Sequence, residues 1–312
     1  MTTLSSQGDN TPRSARAFVP GHVTGVFRIY DEHENPLHRG STGAGFCLDI
    51  GTTTTVTLEV SRPPTISVNY NDSRIDAPVT VMVIRRLLEN KDKDYRVHVE
   101  HESSLPIGVG FGASGAGALG TALALNHLLH DGTDLDSAAS HAHYAEVVNH
   151  TGLGDVIAQT SGGMEIRVRP GAPGVGEVVS FPSPEGLGVI LAGAPGLDTR
   201  TVLVDQAHRD DINRVADGLV SKLIEKPSLN QFISCSREFA RETNLMTPRV
   251  EAALDNLESA GLSNSSMVML GDSVFCFCER ELTQDAVSIM EAHWDSTQTY
   301  VTSVSDQGGR LV

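Results

Sequence analysis

From Ala17 onward, short β-branched stretches alternate with stretches whose apolar residues recur at helical spacing, the pattern of a mixed α/β chain. "ARAFVPGHVTGVFRIY" predicts a strand, a Pro20-Gly21 turn and a second strand or loop. "TTTTVTLEV" is β-branched at nearly every position and predicts a strand, with "TISVNYN" continuing it as a hairpin after Pro63-Pro64. "PVTVMVIRRLLEN" carries apolar residues at helical spacing behind a proline suited to the first helical turn, and "YRVHVEHES" alternates as a strand does. In "DLDSAASHAHYAEVVNH" either Asp134 or Asp136 can cap a helix, and "TGLGDVIAQTSGGMEIRVRPG" runs from a glycine loop through a helical turn into a strand.

The stretch between Pro170 and Pro184 is rich in Gly and Pro and marks the expected boundary between an N-terminal domain, residues 16–178, and a C-terminal domain, residues 179–312. The second half opens on the buried strand "GLGVILAGAPGL". Helices follow over "DDINRVADGLVSKLIEK", "LNQFISCSREFARETNL" and "PRVEAALDNLESAG", then the hairpin "SSMVMLGDSVFCFCER", the helix "TQDAVSIMEAHW" and a last strand "TYVTSVS". Strands with helices on one side make the fold class α+β. Residues 1–15 are polar, without the apolar core of a secretory signal, and read as a disordered leader.

Composition narrows the partners. A net charge of −16 argues against nucleic acid or an anionic membrane surface. Only Lys91, Lys93, Lys222 and Lys226 are lysines, so 19 of the 23 basic residues are arginine; this suits either a saline cytoplasm or a GC-rich genome. Cys47, Cys235, Cys276 and Cys278 form neither a C-x-x-C pair nor a zinc pattern, and read as buried thiols.

Residues 103–130 contain no Asp, Glu, Lys or Arg, long enough for a transmembrane helix, but Pro106, six glycines and Asn126 argue against insertion. Two readings of "PIGVGFGASGAGALGTALALN" remain. The glycines can let backbone N–H groups converge on a di- or triphosphate at a helix N-terminus, or they can let a helix pack closely, with Ser114 a plain cap. Neither the P-loop pattern nor a good dinucleotide fingerprint is present.

The string Pro106-x-x-x-Gly110-x-Gly112-Ala113-Ser114-Gly115-Ala116 resembles the P-x-x-x-G-L-G-S-S-A motif of the GHMP kinases (galactokinase, homoserine kinase, mevalonate kinase, phosphomevalonate kinase). "FVPGHVTGVF" stands where that family has A-P-G-K-x-x-L-x-G-E, and "NSSMVMLGDSVFCF" where it has a C-terminal glycine motif. His22 replaces the usual lysine of the first motif, and Ala113 the first serine of the second. "PLHRGSTGAGFCLDIG", "SHAHYAEVVNHTGLGDV", "GGMEIRVRPGAPG" and "SMVMLGDSVF" resemble the archaeal pantoate kinase branch.

The resemblance implies a ribosomal-protein-like α+β domain followed by a ferredoxin-like one, with the active site between them. It implies ATP and Mg²⁺ as cofactors, pantoate as substrate, and a cytoplasmic homodimer. Gly108, Gly110, Gly112, Ala113, Ser114 and Gly115 would cradle the phosphates. Ser114 and Glu146 would hold the metal. Asp155, matching G-x-G-D-x-x-A-x-x-G-G, would be the catalytic carboxylate, though a helix cap after Gly154 is its plainer role. Ser41, His143, Arg167 and Thr199 would contact pantoate, with Thr201 close enough to compete for the role of Thr199. Arg167 suits a carboxylate because a guanidinium presents forked donors, and Arg169, two residues on along the strand, is expected on the same face.

Overall fold

The structure is a computed structural model that describes residues 11–130, 134–183, 185–196 and 199–312. The first half runs β1 (Arg13–Tyr30), β2 (Gly40–Val60), β3 (Thr65–Tyr70), β4 (Ser73–Arg74), α1 (Pro78–Leu88), β5 (Tyr95–Ser103), α2 (Ala113–His130), α3 (Leu135–Asn149), α4 (Asp155–Ser161), β6 (Met164–Arg169) and β7 (Glu177–Phe181). The second half runs β8 (Leu187–Ala194), α5 (Thr199–Val204), α6 (Gln206–Glu225), α7 (Leu229–Glu242), α8 (Pro248–Ser259), β9 (Ser265–Met267), β10 (Asp272–Glu279), α9 (Thr283–Glu291), β11 (Thr299–Thr302) and β12 (Arg310–Leu311).

β1 and β2 are the frame. They pair antiparallel over almost their whole length, and β2 then divides its free edge: Gly43–Phe46 pairs with β6 and Thr52–Val60 with β5. β1 is one continuous strand. The expected Pro20-Gly21 turn is a bulge, where the register jumps from Pro20↔Gly51 to Gly21↔Leu48, because proline cannot donate to the ladder but is tolerated at such a break. "TISVNYN" does not form a hairpin with β2 either; as β3 it lies parallel to β5, and α1 carries the crossover that a parallel pair requires.

The charge-free run becomes α2, buried on every side from Gly115 to Asn126. Its glycines let it lie against the sheet: a Cβ at Gly120 would stand 2.5 Å from Thr54 Oγ1, and one at Gly117 would stand 3.4 Å from the His101 ring. Asp134, rather than Asp136, caps α3 by accepting from Ser137 N.

In the second half β11, β8, β10 and β9 form an antiparallel sheet in that order, the strand order of a ferredoxin-like unit, with α8 and α9 packed against it. The boundary expected after residue 178 falls inside β7, which pairs with β6 through Phe181. The Gly/Pro stretch is the loop of that hairpin, with Gly171 and Gly174 at φ of +133° and +81°. At the other end β12 returns to pair with β1, so the first sheet uses strands from both ends of the chain. The leader expected over residues 1–15 also ends sooner, since Arg13–Ala15 already pairs with Leu58–Val56; residues 1–10 lie outside the described residues.

The two sheets meet at Phe46, whose ring lies 5.3 Å from Phe275, 4.9 Å from Phe277 and 6.0 Å from Phe232. Asp31 adds a two-pronged ion pair with Arg209 of α6, at 2.5 Å for each nitrogen, which holds the carboxyl below its usual range. Phe46→Ala is expected to cost about 3–5 kcal/mol in denaturant unfolding, by vacating the seam. Val301→Ala, on a side chain 57% exposed, should change stability by less than about 0.5 kcal/mol.

Candidate active site

A cleft of about 490 Å³ opens between the two halves, walled by residues 106–115, Ser41, Gly152–Asp155, Pro195 and Met269 among others. Gly108, Gly110 and Gly112 hold φ of +81°, +85° and +70°, a left-handed backbone that glycine adopts without a Cβ penalty. The loop they form is wedged: a Cβ at Gly110 would lie 2.9 Å from Val268 Cγ1, and one at Gly112 2.9 Å from Gln159 Nε2. Three bonds pin it. Ser273 Oγ donates to Val109 O at 2.9 Å, His22 N to Phe111 O at 3.0 Å, and the buried Gln159 Nε2 to both Pro20 O and Gly112 O at 2.9 Å. Ala113, Ser114 and Gly115 then open α2, whose first amides have no intrahelical acceptor and face an anion well.

Ser114 does not cap the helix; its Oγ donates to Glu146 Oε1 of α3 at 2.5 Å. Glu146 Oε2 is buried and has no partner among the described residues. Burial pushes the Glu146 carboxyl up to about 7, against the lowering effect of the Ser114 bond. The turn at Gly152 brings a second carboxylate close, since a Cβ there would be 2.5 Å from Glu146 Oε2 and 3.2 Å from Asp155 Oδ2. A hydroxyl and a carboxylate with an unused buried oxygen form a hard, all-oxygen donor set, which fits Mg²⁺ completed by phosphate and water oxygens.

Asp155 is the first residue of α4, with Gly154 at the cap position and no side-chain cap, so the plainer role expected of it is not the one it takes. Its carboxylate, 27% exposed, bonds through Oδ1 to His22 Nδ1 at 2.8 Å. His22 is fully buried in β1, and its Nε2 lies 3.1 Å from Glu165 Oε1. Burial pulls this imidazole down more than any other influence does, yet the bonds and charges of Asp155 and Glu165 together raise it above the usual histidine value. Glu165 Oε1 also accepts from Arg167 Nη1. Both are fully buried, and Arg167 Nε and Nη2 find no partner among the described residues. They sit beside Ser41, because a Cβ on Gly154 would lie 2.4 Å from Ser41 Oγ and 2.7 Å from Arg167 Nε.

The family described as "GHMP kinases N terminal domain" matches residues 79–163. A pantoate kinase of Thermococcus kodakarensis is 35% identical over 91% of this chain and 95% of its own length; one of Methanocaldococcus jannaschii is 31% identical over 88% and 96%. The chain belongs to the GHMP kinase family. A solved structure called a phosphotransferase related to the CoA biosynthesis pathway superposes with a TM-score of 0.86 at 31% identity, covering 96% of this chain and 99% of its own.

Seen as a GHMP kinase, the chain brings most of its expected site residues to one cleft. Gly108, Gly110, Gly112, Ala113, Ser114, Gly115, Asp155 and Ser41 line it, while Glu146 and Arg167 stand immediately behind the wall. His143 is placed differently: it is buried, does not line the cleft, and donates from Nε2 to Arg39 O at 2.9 Å, burial holding its pKa down to about 4. It steadies the segment that enters β2 just before Ser41. The side chain of Thr199, the first residue of α5, lies outside the described residues. Arg169 does not share the face of Arg167, because a register shift separates them; its side chain is 61% exposed and pairs with Glu177 at 3.7 Å.

Three residues of the site escape a reading of sequence. Gln159 lies inside a motif whose positions it does not define, and Glu165 looks like any strand glutamate. His22 shows only as a departure from a lysine position.

A carboxyl raised by burial stabilises the fold in its protonated form; that contribution is complete below 4.5 and is lost as pH rises through about 7. Without divalent cations, Glu146→Gln should therefore be more stable than the parent at pH 8.5, by on the order of 2–3 kcal/mol, and no more stable near pH 4. Thermal melts of both proteins in chelator at the two pH values measure the gap.

Proposed function

We propose that this GHMP kinase transfers the γ-phosphoryl group of ATP to the primary hydroxyl of pantoate, giving ADP and 4-phosphopantoate on the route to coenzyme A. The observation that carries the reading is Arg167. A fully buried guanidinium with two unmatched donors beside a hydroxyl-bearing cleft wall needs an anion, and a carboxylate takes both donors of such a fork. Pantoate has that carboxylate at one end and a primary alcohol at the other. The named activity of the relatives supports the same acceptor.

The chemistry follows from the parts. The Gly108–Gly115 loop and the first turn of α2 supply backbone donors for the phosphates. Ser114 and Glu146 would hold Mg²⁺, which when bound offsets phosphate charge and orients the transferred group. Ser41 and Arg167 fix the acid end of the acceptor. The acceptor oxygen bonds to the γ-phosphorus as the bond to the bridging oxygen of ADP breaks, and the hydroxyl proton passes to Asp155 Oδ2, the oxygen that His22 leaves open. The same reading places the enzyme in the cytoplasm, where ATP is supplied, and by likeness to its family makes it a homodimer.

ADP release with pantoate, mevalonate and homoserine as acceptors tests the proposal; turnover of either alternative with none of pantoate would sink it. Asp155→Asn should lower kcat by roughly 100-fold with nucleotide affinity nearly intact, since Asn still accepts from His22 but cannot take the proton. Arg167→Lys keeps a cation against Glu165 but loses the fork, so the KM for pantoate should rise by about 10-fold or more while the KM for ATP holds.

A further inference from the structure

We propose that His22 and Glu165 are positioning residues: a buried relay, Asp155–His22–Glu165–Arg167, that couples the base to the acid-binding guanidinium and makes the kinase selective for hydroxy acids over neutral alcohols. The inference rests on the reading of the acceptor given above and deepens it. Four ionisable side chains from three elements stand in unbroken contact, α4 giving Asp155, β1 giving His22, and β6 giving Glu165 and Arg167. The bonds are directional. A ring protonated on both nitrogens donates from Nδ1 to one carboxylate and from Nε2 to the other.

The surrounding backbone leaves the ring no other place. A Cβ at Gly45 would lie 2.5 Å from His22 Nε2, and one at Gly112 3.2 Å from His22 Cβ, so β2 and the glycine loop close on it from two directions. Two further ionisable groups stand near the relay. Cys47 on β2 is held neutral by burial and by the fields of Glu165 and Asp155, while Glu146 on α3 is raised by burial and further by the charge of Asp155. With the His22 ring protonated on both nitrogens, charges in the relay balance, yet the donors do not, because Arg167 keeps Nε and Nη2 unused. A carboxylate arriving at that fork draws the guanidinium toward itself, weakens its hold on Glu165, and leaves Glu165 to bind His22 more tightly. The ring is thereby fixed, and with it the rotamer of Asp155. An uncharged alcohol reaches the base without engaging this chain.

Two isosteric variants divide the relay. Asn places an amide nitrogen where His Nδ1 sits, and Gln places one where Nε2 sits. In the full-length enzyme with pantoate, His22→Asn keeps the Asp155 bond and loses Glu165, so the KM for pantoate should rise by about 10-fold or more with kcat within about 3-fold. His22→Gln does the reverse, lowering kcat by about 10-fold or more with KM within about 3-fold. Both remove the imidazolium, so the acidic limb of kcat/KM should move to higher pH in both.

Equal effects in the two variants, or unchanged kinetics with only a lower melting temperature, would reduce the cluster to a packing element and overturn the proposal. Should either variant fail to fold, nitrogen NMR of the parent decides: a His22 ring protonated on both nitrogens at pH 7.5 supports the relay, and a neutral ring refutes it. A parent enzyme that turns over only a neutral alcohol removes the acceptor reading instead, while the kcat of His22→Gln on that alcohol still reports the Asp155 arm.

Discussion

Burying Arg167 dictates much of what surrounds it. A guanidinium taken wholly out of water costs several kcal/mol unless it meets a counter-ion in good geometry. Glu165, two residues away on β6, supplies the charge, but that carboxylate is itself fully buried and must be shared. His22 on β1 takes the second share, and Asp155 at the start of α4 closes the series where the cleft begins. Each group is tolerable only because the next is present. The chain of contacts therefore ties β1, β6 and α4 to one another behind the cleft.

The strand frame serves the same constraint. His22 pairs across the sheet with Cys47, and Gly45 with Glu165, so β2 lies between the strands that bear the imidazole and the acid. Any side chain at Gly45 would strike the His22 ring, the Glu165 carboxylate and Val23 O together. The bulge at Pro20-Gly21 comes directly before His22 and resets the register there. The same bulge brings Pro20 O to Gln159, whose amide also holds the glycine loop at Gly112. The glycine loop, Asp155 and Glu165 are thus referred to one short piece of β1.

Elements with a strong local period were legible in sequence: α1 behind Pro78, α6, α7 and α8, and the β9–β10 hairpin stand where the apolar spacing put them. What misled was information that is not local. Proline next to glycine signals a turn as readily as a bulge, and only the partner strand separates the two. "TISVNYN" looks like the return arm of a hairpin because a sequence does not say that β5 will take the edge beside β2. The Gly/Pro stretch near residue 175 resembles a linker, yet it closes a hairpin of the first sheet. Of the candidate site, the glycine loop, Ser114, Glu146 and Asp155 stood out only through resemblance to the GHMP kinase motifs. Glu165 and Gln159 did not, since their meaning lies in long-range contacts, and the pairing of Arg167 with Arg169 failed because alternation along a strand does not survive a register shift.

The chain carries a net charge of −16, and among the described residues no lysine or arginine lines the cleft, although the proposed substrates are both anions. Positive potential must therefore come from other sources. The opening of α2 offers partial charge from its unpaired amides, and the fork of Arg167 offers unused donors from behind Ser41 and Gly154. A divalent ion at Ser114 and Glu146 would add the rest. Glu146 is poised for this, because burial has raised its pKa to about 7 and left one oxygen unbound, so a cation that restores the carboxylate relieves a cost the apoprotein bears. With no fixed cation in its wall, the cleft need not hold a multiply charged product by permanent ion pairs. In the proposed reaction, attraction for the nucleotide would rest on those amides and on the metal that travels with it, and release of the phosphorylated acid would leave Arg167 still paired with Glu165.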